Sequence, residues 1–117
     1  MAPWADLDHE RFWCLPLDAR CRLIGDPILV SAGDIAGTEA GPRTFYRGAL
    51  RCGAHSAVAV HNHPTGDAGP SPEDRAITKR LVVGGKTLDI SLSDHVVIGP
   101  GRAFYSLRRE APELFRQ

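Results

Sequence analysis

His61 and His63 flank Asn62, and Asp74 follows beyond the segment 64–70, which holds Pro64, Gly66, Gly69 and Pro70. Side chains at positions i and i+2 of an extended segment project to the same side, so the two imidazoles can share one ion. Two histidines and a carboxylate, with water in the fourth position, make a usual catalytic zinc set. The Gly/Pro-rich segment can fold back and return the carboxylate to the histidine pair. Each residue also has a plainer reading. The histidine pair fits an incidental strand-end pattern about as well as a metal site. Asp74 alone reads better as the N3 carboxylate of a capping box, favoured by the helix dipole.

The elements around these residues can be read from their apolar spacing. The apolar runs 12–17 and 21–24 flank Asp18-Ala19-Arg20 and predict a β-hairpin, with a third short strand over 28–30. The stretch 31–43 carries Gly33, Gly37, Gly41 and Pro42 and reads as a loop. A helix is expected from Pro42 to about Cys52, stopped by Gly53. A buried central strand over 55–60 leads into the histidines, and 61–70 reads as loop. Ser71 is a good N-cap and Pro72 suits the first helical position, so a second helix starts there and stops near Gly84-Gly85. Strands are expected over 88–92 and 95–98 on either side of Ser93-Asp94, then over 103–107 beyond the turn Pro100-Gly101. A short terminal helix covers 112–116 at most. The order is β, β, β, α, β, α, β, β, β. That is an α/β domain, a mixed sheet with packing helices, spanning residues 1–117 as one unit without internal repeats.

Composition narrows the function. The chain has 117 residues, 43% of them hydrophobic, the size and make-up of one ordinary domain. Its 14 Lys and Arg balance 14 Asp and Glu, so the bulk basic excess that drives phosphate binding is missing. Cys14, Cys21 and Cys52 form no Cys-x-x-Cys pair, which argues against a disulfide framework and against thiolate zinc knuckles. The N-terminus lacks the basic and apolar regions of a signal peptide. No apolar run approaches the roughly 20 residues that cross a bilayer. A reduced, soluble, cytoplasmic protein without membrane association is expected.

The string from His61 to Asp74 can be written His-Asn-His-Pro-x-Gly-Asp-x-x-Pro-Ser-x-x-Asp. It resembles the signature of the JAMM (MPN/JAB) metallopeptidase superfamily, in the form found in its RadC branch. The resemblance continues through residues 10–18, Gly37-Thr38, Pro42-Arg43, residues 94–99 and Phe104-Tyr105-Ser106, so it covers roughly Glu10 to Glu110. Three features depart from the RadC pattern. No N-terminal helix-hairpin-helix region is expected within these residues, Thr65 stands where Ser is more usual, and the loop 31–42 is Gly-rich.

The resemblance implies a fold, a metal and roles. The fold would be the three-layer JAMM/MPN architecture, similar to that of cytidine deaminases. His61, His63 and Asp74 would bind Zn²⁺. Zinc-activated water would attack the carbonyl of an amide in a peptide or isopeptide substrate. Glu10 would act as general base and then acid; nothing in its own surroundings singles it out among the acidic residues. Ser71 would stabilise the tetrahedral oxyanion, alongside its plainer role as a helix cap. The RadC resemblance also raises an alternative, a DNA-repair-associated or nucleic-acid-associated accessory domain carrying a zinc site. A regulatory or interaction module is a third reading.

Other residues carry weaker signals. Arg43, Arg47 and Arg51 recur every fourth residue on the first helix, and Arg75, Lys79 and Arg80 cluster on the second. A solvated face explains such stripes better than a docking surface for nucleic acid or an acidic partner. His9 and His55 read as surface histidines. Asp94-His95 reads as a structural turn in preference to a pair supporting the site. The letters His-Asn-His are not the dispersed constellation of HNH nucleases. His-x-Glu with Pro-Cys-x-x-Cys and His-Glu-x-x-His are absent, which sets aside zinc deaminases and zincins.

Overall fold

Strand β1 (Arg11–Leu17) alternates buried and half-buried residues along its whole length. Its inward residues Phe12, Cys14 and Pro16 are fully buried, the period-2 pattern of a sheet with one face on a core. The computed structural model describes residues 10–32, 41–63, 68–101 and 103–116. His9, Gly37-Thr38, Thr65 and most of the Gly-rich loop lie outside the described residues.

Five strands form one mixed sheet in the order β2-β1-β3-β4-β5. β2 covers Ile28–Ala32, β3 Ser56–Asn62, β4 Ser91–Ile98 and β5 Phe104–Ser106. β1 lies antiparallel between β2 and β3. β3 and β4 are parallel, joined through helix α2 (Pro72–Leu88), as a parallel pair requires a crossover. Helix α1 (Pro42–Arg51) connects β2 to β3, and helix α3 (Leu107–Glu110) and a 3-10 turn (Pro112–Phe115) close the chain. The mixed α/β class expected from the pattern is therefore the observed one.

Both long helices pack on the face of the sheet carrying Phe12, Cys14, Ala57, Ala59 and Leu92, through Phe45, Tyr46 and Ala49 of α1 and Ile77, Leu81 and Val82 of α2. Small Ala residues on β3 let the helices come close, and the larger rings of α1 fill the space. Phe12 and Phe45 stack at 5.6 Å between centroids, and the Tyr46 hydroxyl donates to the Leu81 carbonyl at 2.6 Å. A second cluster of Val97, Leu107, Ala111 and Leu114 seats the C-terminal turns. Among the described residues, no helix is long and apolar enough to cross a membrane.

Three boundaries differ from the expectations. Cys21–Ile24 is not a strand. The Asp18 carboxylate accepts the N–H groups of Arg20 and Arg22, and Cys21 sits at φ 62°, so the chain turns there. Of the expected hairpin one antiparallel bridge remains, Leu17 to Leu23, and β1 forms its ladder on that side with 28–32 through Arg11–Cys14. Helix α2 does not stop at Gly84-Gly85 but continues to Leu88, ending at Asp89 in the left-handed region. The glycines serve close approach, since a Cβ on Gly85 would lie 2.2 Å from the Ile90 carbonyl oxygen. Finally, 88–92 and 95–98 are not two strands around a turn. Leu88 ends α2, and Ser91–Ile98 is the single strand β4, which absorbs Ser93 as a bulge: Ala57 pairs with Leu92 and Val58 with Asp94.

Candidate metal centre

The site forms at the carboxyl end of β3, where ligands of open α/β sheets commonly bind. His61 is in the last turn of the β3 ladder, on the helix face, and is almost completely buried. His63 follows the strand, its N–H donating to the Ile98 carbonyl at 2.7 Å. The strand direction so extended keeps both rings on one side, with centroids 4.8 Å apart.

Glu10 arrives by strand register. Because β1 runs antiparallel to β3 and Phe12 pairs with His61, the start of β1 lies beside the end of β3. The Glu10 Oε2 is 3.6 Å from His61 Nε2. Asn62 tethers this corner: its Oδ1 accepts the Arg11 N–H at 2.6 Å. The middle residue of the His-Asn-His string thus holds the backbone next to Glu10, a role the sequence reading missed.

Asp74 arrives on the first turn of α2. Ser71 caps that helix: its Oγ accepts the Asp74 N–H at 3.1 Å, and the Asp74 Oδ2 accepts the Ser71 N–H at 2.8 Å. This is the reciprocal capping box expected from the sequence. The box does not divert Asp74 from the histidines. Its Oδ1 is 3.3 Å from His61 Nδ1 and its Oδ2 is 3.3 Å from His63 Nε2. The structure thus brings Glu10, His61, His63 and Asp74 together, with Ser71 one hydrogen bond away.

Two overlapping donor groups share the histidine pair. Donor atoms of Glu10, His61 and His63 all lie within 4.8 Å of one another, and Asp74 closes on the same rings from the helix side. Among the described residues, both His61 nitrogens and Asp74 Oδ1 are buried without a well-formed hydrogen bond, their nearest polar neighbours being Glu10 at 3.6 Å and each other at 3.3 Å. Buried polar atoms are nearly always satisfied; Asp74 faces the Nδ1 side of the His61 ring and Glu10 its Nε2 side, so a cation on either side could satisfy the nitrogen there. The 3.3 Å separations also suit neighbouring ligands of one small cation. Two ligands at about 2.1 Å from one ion in tetrahedral geometry lie about 3.4 Å apart.

Electrostatics keep Asp74 ionised. Burial opposes ionisation of Asp74, but His61, the Ser71 N–H and His95 together hold its carboxyl down to about 2. Asp74 is therefore a buried carboxylate, an anion that requires a counter-charge.

Beneath the site lies His95, fully buried on β4. The expected structural turn at Asp94-His95 is a strand here. The His95 Nδ1 lies 2.6 Å from Thr78 Oγ1, which donates to the Asp74 carbonyl at 2.7 Å. Burial lowers the His95 pKa to about 3 against the pull of Asp74, with His61 and His63 adding to the push, so the ring is neutral. Asp94 anchors the strand edge, accepting from Ser106 Oγ at 2.6 Å and from the N–H groups of His95 and Arg108. Periodicity could not have found His95, because the bulge at Ser93 moves it onto the helix face.

Similarity to known proteins agrees with this geometry. The model of the RadC-like JAB domain matches residues 1–112. A UPF0758 protein of Cyanothece sp. is 46% identical over 101 residues, covering 86% of this chain and 41% of the relative. One of Methanococcoides burtonii is 41% identical over 105 residues, covering 90% and 45%. One of Desulforudis audaxviator is 38% identical over 103 residues, covering 88% and 44%. The chain thus spans less than half the length of these relatives. The resemblance first carried by the string from His61 to Asp74 extends through the whole fold, and the chain belongs to the RadC-like JAB domain family.

Proposed function

We propose that this domain is a zinc-dependent hydrolase of the metallopeptidase or isopeptidase type, acting on an amide bond in a peptide or isopeptide substrate. One observation carries the reading: Asp74 lies 3.3 Å from each of the His61 and His63 rings, and donor atoms of Glu10, His61 and His63 lie within 4.8 Å of one another. His61, His63 and Asp74 would hold the metal. Asp74 suits a ligand better than Glu10 does, because it is fully buried and touches both rings. Bound there, Zn²⁺ would lower the pKa of water to about 7 and polarise a carbonyl.

The chain's own groups would do the rest. Glu10 keeps contact with solvent, so its carboxylate can take a proton at Oε2 and deliver it to the leaving amine. Ser71 can cap and donate together. Its Oγ accepts from the Asp74 N–H through a lone pair, which leaves its own O–H free for a developing oxyanion.

The test is metal content of protein purified without added metal, followed by a peptidase screen. Wild type should carry about one Zn²⁺ per chain. Asp74→Asn should lose it, whereas Glu10→Gln should keep the metal and lose hydrolysis. Loss of metal in Glu10→Gln with retention in Asp74→Asn would exchange the two roles.

A nucleic-acid-associated accessory role is the second reading. It is favoured by Arg43 and Arg80, which line one groove with Gly41, Pro42 and Thr44. Among the described residues neither makes an ion pair. DNA binding that falls steeply with salt and with Arg43→Ala and Arg80→Ala would support it.

A further inference from the structure

His95 and Thr78 are completely buried polar residues that the proposed chemistry does not use. We propose that they form a positioning pair, which fixes the rotation of the first turn of α2 and so aims the Asp74 carboxylate at His61 and His63. The inference rests on the metal-centre reading and concerns how that centre is held.

The hydrogen-bond arithmetic is restrictive. A threonine hydroxyl has one proton, and Thr78 spends it on the Asp74 carbonyl at 2.7 Å. The contact of 2.6 Å between Thr78 Oγ1 and His95 Nδ1 must then use a proton on His95. The neutral ring is therefore the Nδ1–H tautomer. Among the described residues its buried Nε2 has no partner, a cost that leucine at this position would avoid. The Nδ1–H bond to Thr78 is what the histidine supplies in return.

Both ends of this link are rigid. His95 pairs with Ala59 across the parallel ladder, one side-chain repeat before His61 on the same strand. Its ring packs edge-on against Phe12 at 5.8 Å, and Phe12 pairs with His61. At the other end, Thr78 is one turn beyond Asp74 and grips its carbonyl. The sheet that carries the histidines is thereby bolted to the helix that carries the acid. Outer partners of this kind commonly change metal affinity 10- to 100-fold when removed.

The experiment uses the full chain, stripped of metal and titrated with Zn²⁺ against a chromophoric chelator. Thr78→Val keeps the shape and removes the hydroxyl, while Thr78→Ser restores it. Zinc affinity should fall about tenfold or more in Thr78→Val and return close to wild type in Thr78→Ser. His95→Asn, whose Nδ2–H can replace Nδ1–H, should bind more tightly than His95→Leu. In metal-free wild type, ¹⁵N NMR should show His95 as the Nδ1–H tautomer, a readout that needs no variant to fold. Wild-type affinity in Thr78→Val, equal losses in Thr78→Val and Thr78→Ser, or an Nε2–H tautomer would each overturn the positioning pair alone. A wild type that takes up no Zn²⁺ would overturn the metal-centre reading and the pair with it.

Discussion

Ser71 and Asp74 hold each other twice: the serine hydroxyl accepts the aspartate N–H at 3.1 Å, and the aspartate carboxylate accepts the serine N–H at 2.8 Å. The same carboxylate lies 3.3 Å from both histidines. A helix cap and the proposed metal ligand are thus one side chain. Ser71→Ala should cost about 1 kcal/mol of stability through the lost acceptor, and it should weaken Zn²⁺ binding because Asp74 loses a restraint. Ser71→Thr should retain both properties. Urea unfolding of metal-free protein and zinc titration measure the two effects separately. Unchanged stability in Ser71→Ala would show that the cap contributes nothing.

Asn62 ties the start of β1 to the end of β3 through Arg11, whose N–H it accepts at 2.6 Å. Asn62→Ala would leave that N–H without its acceptor and release the backbone beside Glu10. Hydrolysis should fall further than zinc affinity, since Glu10 is displaced while His61, His63 and Asp74 stay in place. The two losses compared in one preparation decide this. A larger loss of zinc affinity than of turnover would place the role of Asn62 on the histidines instead.

His95 makes the metal-free fold sensitive to acid. In the unfolded chain it takes a proton near 6.5, and in the fold burial lowers this to about 3. Between those values the unfolded chain binds a proton that the folded chain does not. Stability therefore falls as pH drops from 6.5, by at most about 1.4 kcal/mol per pH unit. Asp74, held down to about 2 from 3.8, adds a loss in the same direction below 3.8. Urea midpoints with chelator at pH 7, 6 and 5 should decline in wild type and stay flatter in His95→Asn. Equal slopes would show that His95 does not carry the effect.

The three cysteines should separate by reactivity. Burial pushes the Cys14 thiol up to about 12, with Cys52 adding to the rise, whereas Cys21 and Cys52 are exposed. The thiolate is the reacting form. A thiol reagent at neutral pH should label Cys21 and Cys52 quickly, and Cys14 only on unfolding. Fast labelling of Cys14 in native protein would contradict the packing of β1 on α1.

The approach of His61, His63 and Asp74 to one another was legible because it is set locally. His61 and His63 share a strand side by simple alternation, and the cap at Ser71 announces where Asp74 must sit. Glu10 was not legible from its surroundings, because its approach depends on the pairing of Phe12 with His61, and only the family resemblance pointed to it. His95 was misread because a bulge at Ser93 breaks the alternation of β4, and a bulge leaves little local mark in one sequence. The connection after Asp18 was misread for a related reason. Its apolar residues look like a strand, but side-chain hydrogen bonds from Asp18 turn the backbone first.

Gly84-Gly85 was read as a helix stop, and the reason it is not one yields a sharp test. At Gly85 an added Cβ would meet the Ile90 carbonyl oxygen at 2.2 Å and the Tyr46 hydroxyl at 2.5 Å. Neither can step aside easily. Ile90 is held by its own N–H bond to the Gly85 carbonyl at 2.8 Å, and Tyr46 by its bond to Leu81. In an exposed helix, Gly→Ala would gain about 1 kcal/mol of helix propensity. Here overpacking should outweigh that gain, because such strain typically costs about 1–3 kcal/mol and the contact is with backbone. Gly85→Ala should therefore lower the melting temperature by several degrees and loosen α2 against α1. An increase in melting temperature would mean that the helix is free to shift, and that the glycine is a propensity defect instead of a packing requirement.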